Sequence, residues 1–277
     1  MLPSWSDRIE VFLASDRIDL VRTGRGFKPV QDARITECCT PGSGVPAWQP
    51  ALQKLEQQLL HHAGSSLEIT LSNQFIRYVT LPPQEEITTP EEVKAYATFR
   101  IREIYADRAD SWVLSVSEWN PRTGAICAAI PLALMTKLEE LALHTRCKLR
   151  SVEPYLASVY DHWHSILSQE RIYLAVIESG RICVGIIDHG AWLSVRNQRI
   201  AGSIMDELVA ILDQEVVLAG RKDAKESVHV FAPGYPNLSL SQESGWRLLS
   251  LSNELLPAPA HYPVAIVQDT ENHQCLA

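Results

Sequence analysis

Histidines, cysteines and paired acids are the side chains here that could do chemistry, and their spacing decides which of them can act together. His162 and His164 invite a metal, but residues i and i+2 of a helix lie about 200° apart around its axis, so the imidazoles cannot converge on one ion. Both read as surface histidines. His61 and His62, with Cys38 and Cys39 upstream, supply zinc-type donors, yet no Cys-x-x-Cys or His-x-x-x-His spacing organises them. Glu85-Glu86 and Glu91-Glu92 offer carboxylates for acid–base work, but neighbours in sequence do not face a common substrate. They sit where acids favour the dipole of a helix start. No phosphate-loop signature, Gly-x-Gly-x-x-Gly or Gly-x-Ser-x-Gly element occurs, and Gly24-Arg25-Gly26 reads as a turn.

Since no single motif carries chemistry, function must be sought in the elements that position side chains. At 277 residues, 46% hydrophobic and 21% charged, the chain is long and apolar enough for one large or two medium globular domains. A formal charge of -8 with no interleaved basic and aromatic cluster argues against nucleic acid as a partner. The unbroken apolar run from Ile172 stops at Glu178, far short of the roughly 20 residues that span a bilayer, so no direct membrane insertion is expected. Trp5, Asp7, Arg8 and Glu10 break any secretory leader pattern in the first ten residues. Six cysteines are too few for a disulfide framework in a chain of this size, which predicts reduced thiols, with Cys127, Cys147, Cys183 and Cys275 as core fillers.

Hydrophobic periodicity predicts an antiparallel meander over Arg8–Ala14, Arg17–Val21 and Ala33–Cys38, a helix within Ala47–His62, and strands over Leu67–Leu71 and Phe75–Leu81. The pattern returns: strands over Ile172–Ile177, Ile182–Ile187 and Trp192–Val195, a helix capped by Ser203 and ending at Gly220, then a strand over Val228–Phe231. Between the copies, Thr89, Pro90 and Glu92 form a capping box for a helix carrying Val93, Ala97, Ile101, Ile104 and Tyr105 on one face. Strands over Trp112–Trp119 and Ala125–Ile130 follow, then a helix from Pro131, a strand over Leu149–Val152 and a helix from Pro154. Trp112 and Trp119, at odd spacing, fall on opposite strand faces, which predicts one in the core and one open to a partner. Beyond Pro236, Trp246–Leu251 and Val264–Val267 read as edge strands.

Pro90-Glu91-Glu92-Val93 with Ala97–Tyr105, then Trp112–Glu118, then Ala125–Pro131, then Leu141–Val152 followed by Glu153-Pro154-Tyr155-Leu156-Ala157, resembles the actin-like assembly proteins of type IV pili (PilM) and the cytoplasmic domain of the type II secretion protein GspL. The resemblance spans Arg8 to Gly234. It implies an α/β fold of duplicated actin-like (ribonuclease H-like) lobes with a small inserted α+β subdomain: a first lobe of residues 1–87 and 125–168, the insert at 88–124 and a second lobe of 169–277. Members that bind ATP place glycine-containing acidic turns against phosphate and its magnesium ion. The matching stretches depart from this. Leu13-Ala14-Ser15-Asp16-Arg17 has no glycine, Val176-Ile177-Glu178-Ser179-Gly180 puts an isoleucine before its acid, and Phe231-Ala232-Pro233-Gly234 has a proline without an amide hydrogen where adenosine would lie. Ser15, Asp16, Glu178, Ser179, Gly180 and Gly234 are therefore expected to be vestigial nucleotide loops of a pseudo-ATPase that needs no cofactor.

By the same resemblance the chain is expected to be a non-catalytic scaffold, cytoplasmic and peripheral to the inner membrane through its partners. It would bind a cytoplasmic peptide of a single-span membrane protein of a pilus or secretion platform in a groove beside the insert, with Ile101, Ile104 and Tyr105 as candidate contacts and an assembly ATPase as a further partner. The alternative is an actin-like ATP-binding protein with divergent phosphate loops, Asp16 and Glu178 near magnesium and Gly234 near adenine. A third option makes the chain a piece of a longer GspL-like membrane protein.

Overall fold

The computed structural model describes residues 6–26, 30–40, 42, 44–167, 170–220 and 226–251; the expected strand Val264–Val267 and Cys275 lie outside them. In chain order the first elements are β1 (Arg8–Leu13), β2 (Arg17–Thr23), β3 (Ile35–Cys38), α1 (Gln49–Leu59), β4 (Ser66–Leu71) and β5 (Arg77–Leu81). The middle of the chain forms α2 (Pro90–Tyr105), β6 (Trp112–Val116), β7 (Ala125–Pro131), α3 (Leu132–His144), β8 (Lys148–Pro154) and α4 (Tyr155–Trp163). The last are β9 (Arg171–Glu178), β10 (Arg181–Asp188), β11 (Ala191–Arg199), α5 (Ile204–Leu218), β12 (Ser227–Phe231) and β13 (Arg247–Ser250).

Two of the three sheets are built to one plan. The first has the order β3-β2-β1-β4-β8, the second β11-β10-β9-β12-β13. In each, three strands form an antiparallel meander joined by tight or short connections, and two further strands add parallel to the first of the three. Parallel neighbours need a crossover, which α1 supplies before β4 and α5 before β12. The alternation of apolar residues that predicted the strands is what fills the two cores. Ile9, Val11, Leu13, Ile18, Leu20, Leu67, Ile69 and Leu71 are buried in the first sheet, and α1 buries Ala51, Leu52, Leu55 and Leu59. In the second, Ile177, Ile182, Val184 and Ile186 pack with Leu208, Ile211, Leu212 and Val216 of α5. Each such side chain contributes about 1.5–3 kcal/mol on leaving water.

The third sheet, β5-β7-β6, is antiparallel and carries α2. Thr89 caps α2 as its spacing predicted: its hydroxyl accepts from the Glu92 amide, and the Glu92 carboxylate accepts from the amides of Thr88 and Thr89. Such a cap contributes about 1 kcal/mol. Helix residues Ala97 and Ile101 then pack on Val79, Leu81, Ala125, Cys127 and Ala129. β7 holds the centre because its small side chains let the helix approach closely. At Gly124, which leads into β7 with φ of +75°, a Cβ would come 2.0 Å from the Leu81 carbonyl oxygen, so the turn requires glycine. β5 and β7, assigned above to the first lobe, pair here with β6, and the lobe boundaries stay a proposal. By contacts the chain divides into two compact units, residues 6–75 with 134–155 and residues 76–133 with 156–251.

Cys39, Cys127, Cys147 and Cys183 are free and buried, as core fillers should be. Cys38 is disulfide-bonded, against the expectation of reduced thiols throughout.

Candidate functional site

In both large sheets the parallel strands end at one rim, and the expected nucleotide loops follow those strand ends, where α/β sheets present loops to ligands. At the first rim, Ala14, Ser15 and Asp16 connect β1 to β2. The Ala14 amide donates to the Arg17 carbonyl oxygen at 3.0 Å, the Asp16 carbonyl oxygen accepts from the Cys39 amide at 2.6 Å, and the Leu13 carbonyl oxygen accepts from the Ser72 amide at 2.9 Å. Buried Ser15 donates its hydroxyl to the Gln74 amide oxygen. Arg17 opens β2 with only 3% of its surface exposed. Its Nε donates at 2.9 Å to the Asp19 carboxylate, which also accepts from the Thr36 hydroxyl at 2.6 Å, and its guanidinium lies 5.0 Å from the centre of the Phe12 ring. Phe12 in turn packs on Tyr155 at 4.7 Å between ring centres. The Asp16 carboxylate lies 3.8 Å from Arg17 Nη1, so the charged groups at this turn neighbour one another.

The second rim repeats the arrangement with other residues. Glu178 ends β9, Ser179 and Gly180 make the turn, and Arg181 opens β10. Gly180 takes φ of +66°, the left-handed conformation that favours glycine. Glu178 and Arg181 are both buried and face each other as strand partners. The Arg181 guanidinium donates at 2.9 Å to the Asn197 amide oxygen, and the Asn197 amide donates at 3.1 Å to the Ile76 carbonyl oxygen. Burial, together with the nearby guanidinium groups of Arg77 and Arg199, holds Arg181 below the usual arginine range, against the opposing pull of Glu178. Gly234 is buried in the turn after β12, closed by the Tyr235 amide on the Ala232 carbonyl oxygen at 2.9 Å.

No protein-family model matches the chain, and no curated protein sequence does. Solved structures do. A chain of the PilM–PilN type IV pilus biogenesis complex is 14% identical, with 88% of this chain and 88% of that one covered and a TM-score of 0.62. The cytoplasmic domain of Epsl, an inner-membrane component of the type II secretion system of Vibrio cholerae, is 11% identical over 90% of this chain and 91% of that one, TM-score 0.56. A Bacteroides thetaiotaomicron protein with an actin-like ATPase fold and unknown function is 9% identical over 88% and 91%, TM-score 0.56.

The chain has a duplicated actin-like fold. In that frame the expected loop residues fall into two groups: Ser15 and Asp16 in one unit, Glu178, Ser179, Gly180 and Gly234 in the other. Two residues at these loops were given no role in the sequence, Arg17 and Arg181. The available signal was that each directly follows its turn, at the first position of the second strand of its actin-like sheet. Among the described residues no group of three or more His, Cys, Asp or Glu is placed to hold a metal. His162 lies in α4, whereas His164 lies beyond its end.

The candidate partner residues of α2 divide. Ile101 is fully buried against Val79, Ala109 and Ala129, so its place is the core of the small sheet. Tyr105 is half-buried and meets Trp112 edge-on at 5.0 Å between ring centres. Ile104 stands exposed, as does Phe99. Neither tryptophan is left open as the odd spacing predicted: Trp119 packs edge-on against Tyr96 and donates its Nε1–H to the Ile87 carbonyl oxygen at 2.9 Å. The reason is that β6 ends at Val116, so strand alternation does not reach residue 119. No helix among the described residues is long and apolar enough to cross a membrane.

Proposed function

We propose that the chain is a non-catalytic scaffold of a bacterial type IV pilus or type II secretion-like inner-membrane platform, acting at the cytoplasmic face. Its work is to bind a cytoplasmic peptide of a single-span membrane protein, with an assembly ATPase as a further partner. The observation that supports this is that the buried arginine following each expected loop is held by the protein's own side chains. Arg17 is held by Asp19, and one arm of Arg181 by Asn197, beside the places where the resemblance implies that ATP-binding members keep an open acidic turn for phosphate and magnesium. The fold shared with the PilM–PilN complex and with the cytoplasmic domain of Epsl supports the same assignment. Exposed Ile104 of α2 is a contact available to the peptide.

Thermal denaturation with and without millimolar MgATP tests the nucleotide-free state. A ligand at about 100 times its dissociation constant stabilises by about 2.7 kcal/mol, so an unchanged melting temperature is expected and a clear rise would install the ATP-binding alternative, with Asp16 and Glu178 near magnesium and Gly234 near adenine. Affinity purification of the tagged chain from its own cells tests the scaffold directly. Recovery of an inner-membrane pilus or secretion component is the expected result, and its absence after crosslinking would remove the assignment.

A further inference from the structure

Three arginines meet beside the second rim, all within one compact unit. Arg77 opens β5, Arg181 opens β10 and Arg199 closes β11 directly opposite Arg181 in the strand register. Two of them are joined through Asn197 and one carbonyl: Arg181 donates to Asn197, and both Asn197 and Arg77 donate to the Ile76 carbonyl oxygen, at 3.1 and 3.0 Å. The chain carries 33 acidic residues against 25 basic ones, yet among the described residues none of these three arginines forms an ion pair. Arg77 and Arg199 are exposed, whereas Arg181 is nine-tenths buried and its Nε–H has no acceptor there. Glu178 is the acid facing Arg181, and it is 5% exposed. The cluster therefore keeps an excess of positive charge, with guanidinium N–H groups to donate, inside an acidic protein.

We propose that Arg77, Arg181 and Arg199 form a recognition site for a carboxylate side chain, an Asp or Glu in the peptide that the scaffold binds. The peptide nature of that ligand rests on the scaffold reading. Guanidinium forks match a carboxylate in bidentate geometry, whereas a compact ammonium would not. A monoanion is preferred to a phosphate dianion because buried Glu178, the strand partner of Arg181, repels each added negative charge. Arg77 and Arg199 are exposed and can reach the carboxylate, while buried Arg181, held by Asn197, adds to the positive field.

The test uses the full chain and two fluorescein-labelled hexapeptides, one alternating Leu with Glu and the other Leu with Gln, titrated by fluorescence anisotropy. Binding of the Glu peptide about tenfold or more tighter than the Gln peptide, weakening with added salt, is the expected result. An Arg77→Ala/Arg199→Ala variant, altered at exposed positions and verified as folded by circular dichroism, should lose that preference, and Arg77→Lys/Arg199→Lys should recover only part of it. Equal affinity for the two peptides, no binding of either, retention of the preference by the alanine variant, or displacement of the Glu peptide by millimolar inorganic phosphate would each overturn the proposal. Recovery of membrane partners by this alanine variant at the wild-type level alongside failed peptide titrations would remove the arginine site and leave the scaffold. Selective Glu-peptide binding with no membrane partner recovered by the wild type would do the reverse.

Discussion

Arg17 and Arg181 hold the same place in two sheets of one plan, at the first position of the strand that leaves the rim turn, and both are buried. What surrounds them differs. Arg17 closes on a fully buried carboxylate, Asp19, which a threonine also holds, so its charge is cancelled inside the lobe. Arg181 closes on a neutral amide, while the acid across the strand, Glu178, opposes the fall in its pKa. Topology thus decides where a polar side chain is delivered, and local pairing decides whether its charge is consumed by the fold or left over. The first rim is a structural device, and the second retains a surplus.

Asp19→Ala is where that contrast should break most visibly. The change removes the nearer of the two carboxylates beside Arg17, whose side chain is 3% exposed, and removing one partner of a buried ion pair costs about 3–5 kcal/mol. Arg181→Leu removes a charged hydrogen bond to a neutral amide, a loss of about 1.5–3 kcal/mol. Urea unfolding of the two variants should therefore give a lower midpoint for the first, and comparable midpoints would show that Arg17 and Asp19 are not the buried pair described. Next in size is Gly185→Ala. On the face of the second sheet that carries Arg181, an added Cβ at Gly185 would lie 2.6 Å from Cζ3 of Trp192, a ring itself packed edge-on against Tyr160. Overpacking of this kind costs about 1–3 kcal/mol, and the displaced indole should change the tryptophan fluorescence of the native state. Smaller again is Gly180→Ala, where φ is +66° but nothing lies within 4 Å of the added Cβ. Only the left-handed backbone opposes it, at about 1–2 kcal/mol. The glycine-free turn at Ser15 and Asp16 has no matching sensitivity.

Much of this frame could be read from residue periodicity, because each actin-like sheet announces itself by alternating or continuous apolar runs and each long helix by its cap. Thr89 with Glu92 and Ser203 with Asp206 are capping pairs in both sequence and structure. The end of β11 could not be read. Val195 closes its apolar run, yet the strand continues through Arg196, Asn197, Gln198 and Arg199. Backbone pairing with β10 carries those residues, and side-chain partners supplied by other elements anchor two of them: Glu215 of α5 for Arg196, Arg181 for Asn197. A polar strand end of this sort has no hydrophobic period to betray it. The arginine site was missed for the same reason, since Arg77, Arg181 and Arg199 are brought together by pairing between distant segments. Ile101 misled in the other direction: helical spacing identified its face correctly, but a one-residue pattern cannot tell a helix face that meets a sheet from one that awaits a partner.

The mildest effect is one of pH, and it distinguishes the two units by its size. His229 lies within β12 of the second sheet, 4% exposed, with no hydrogen-bond partner at Nδ1, and burial pushes its pKa down. The unfolded chain takes up the proton near pH 6.5, whereas the folded chain keeps the imidazole neutral to lower pH. Below about pH 6.5 the unfolded state therefore holds more protons, so stability falls as the solution is acidified and levels off above that value. His62, in the first unit, is shifted the same way by burial and by Arg22, but it is only half-buried. Unfolding midpoints compared at mildly acidic and neutral pH should show His229→Leu flattening most of the slope and His62→Gln flattening less. A larger effect from His62 would mean that the buried imidazole of β12 finds a partner, and that the second lobe is no more tolerant of an unmatched polar group than the first.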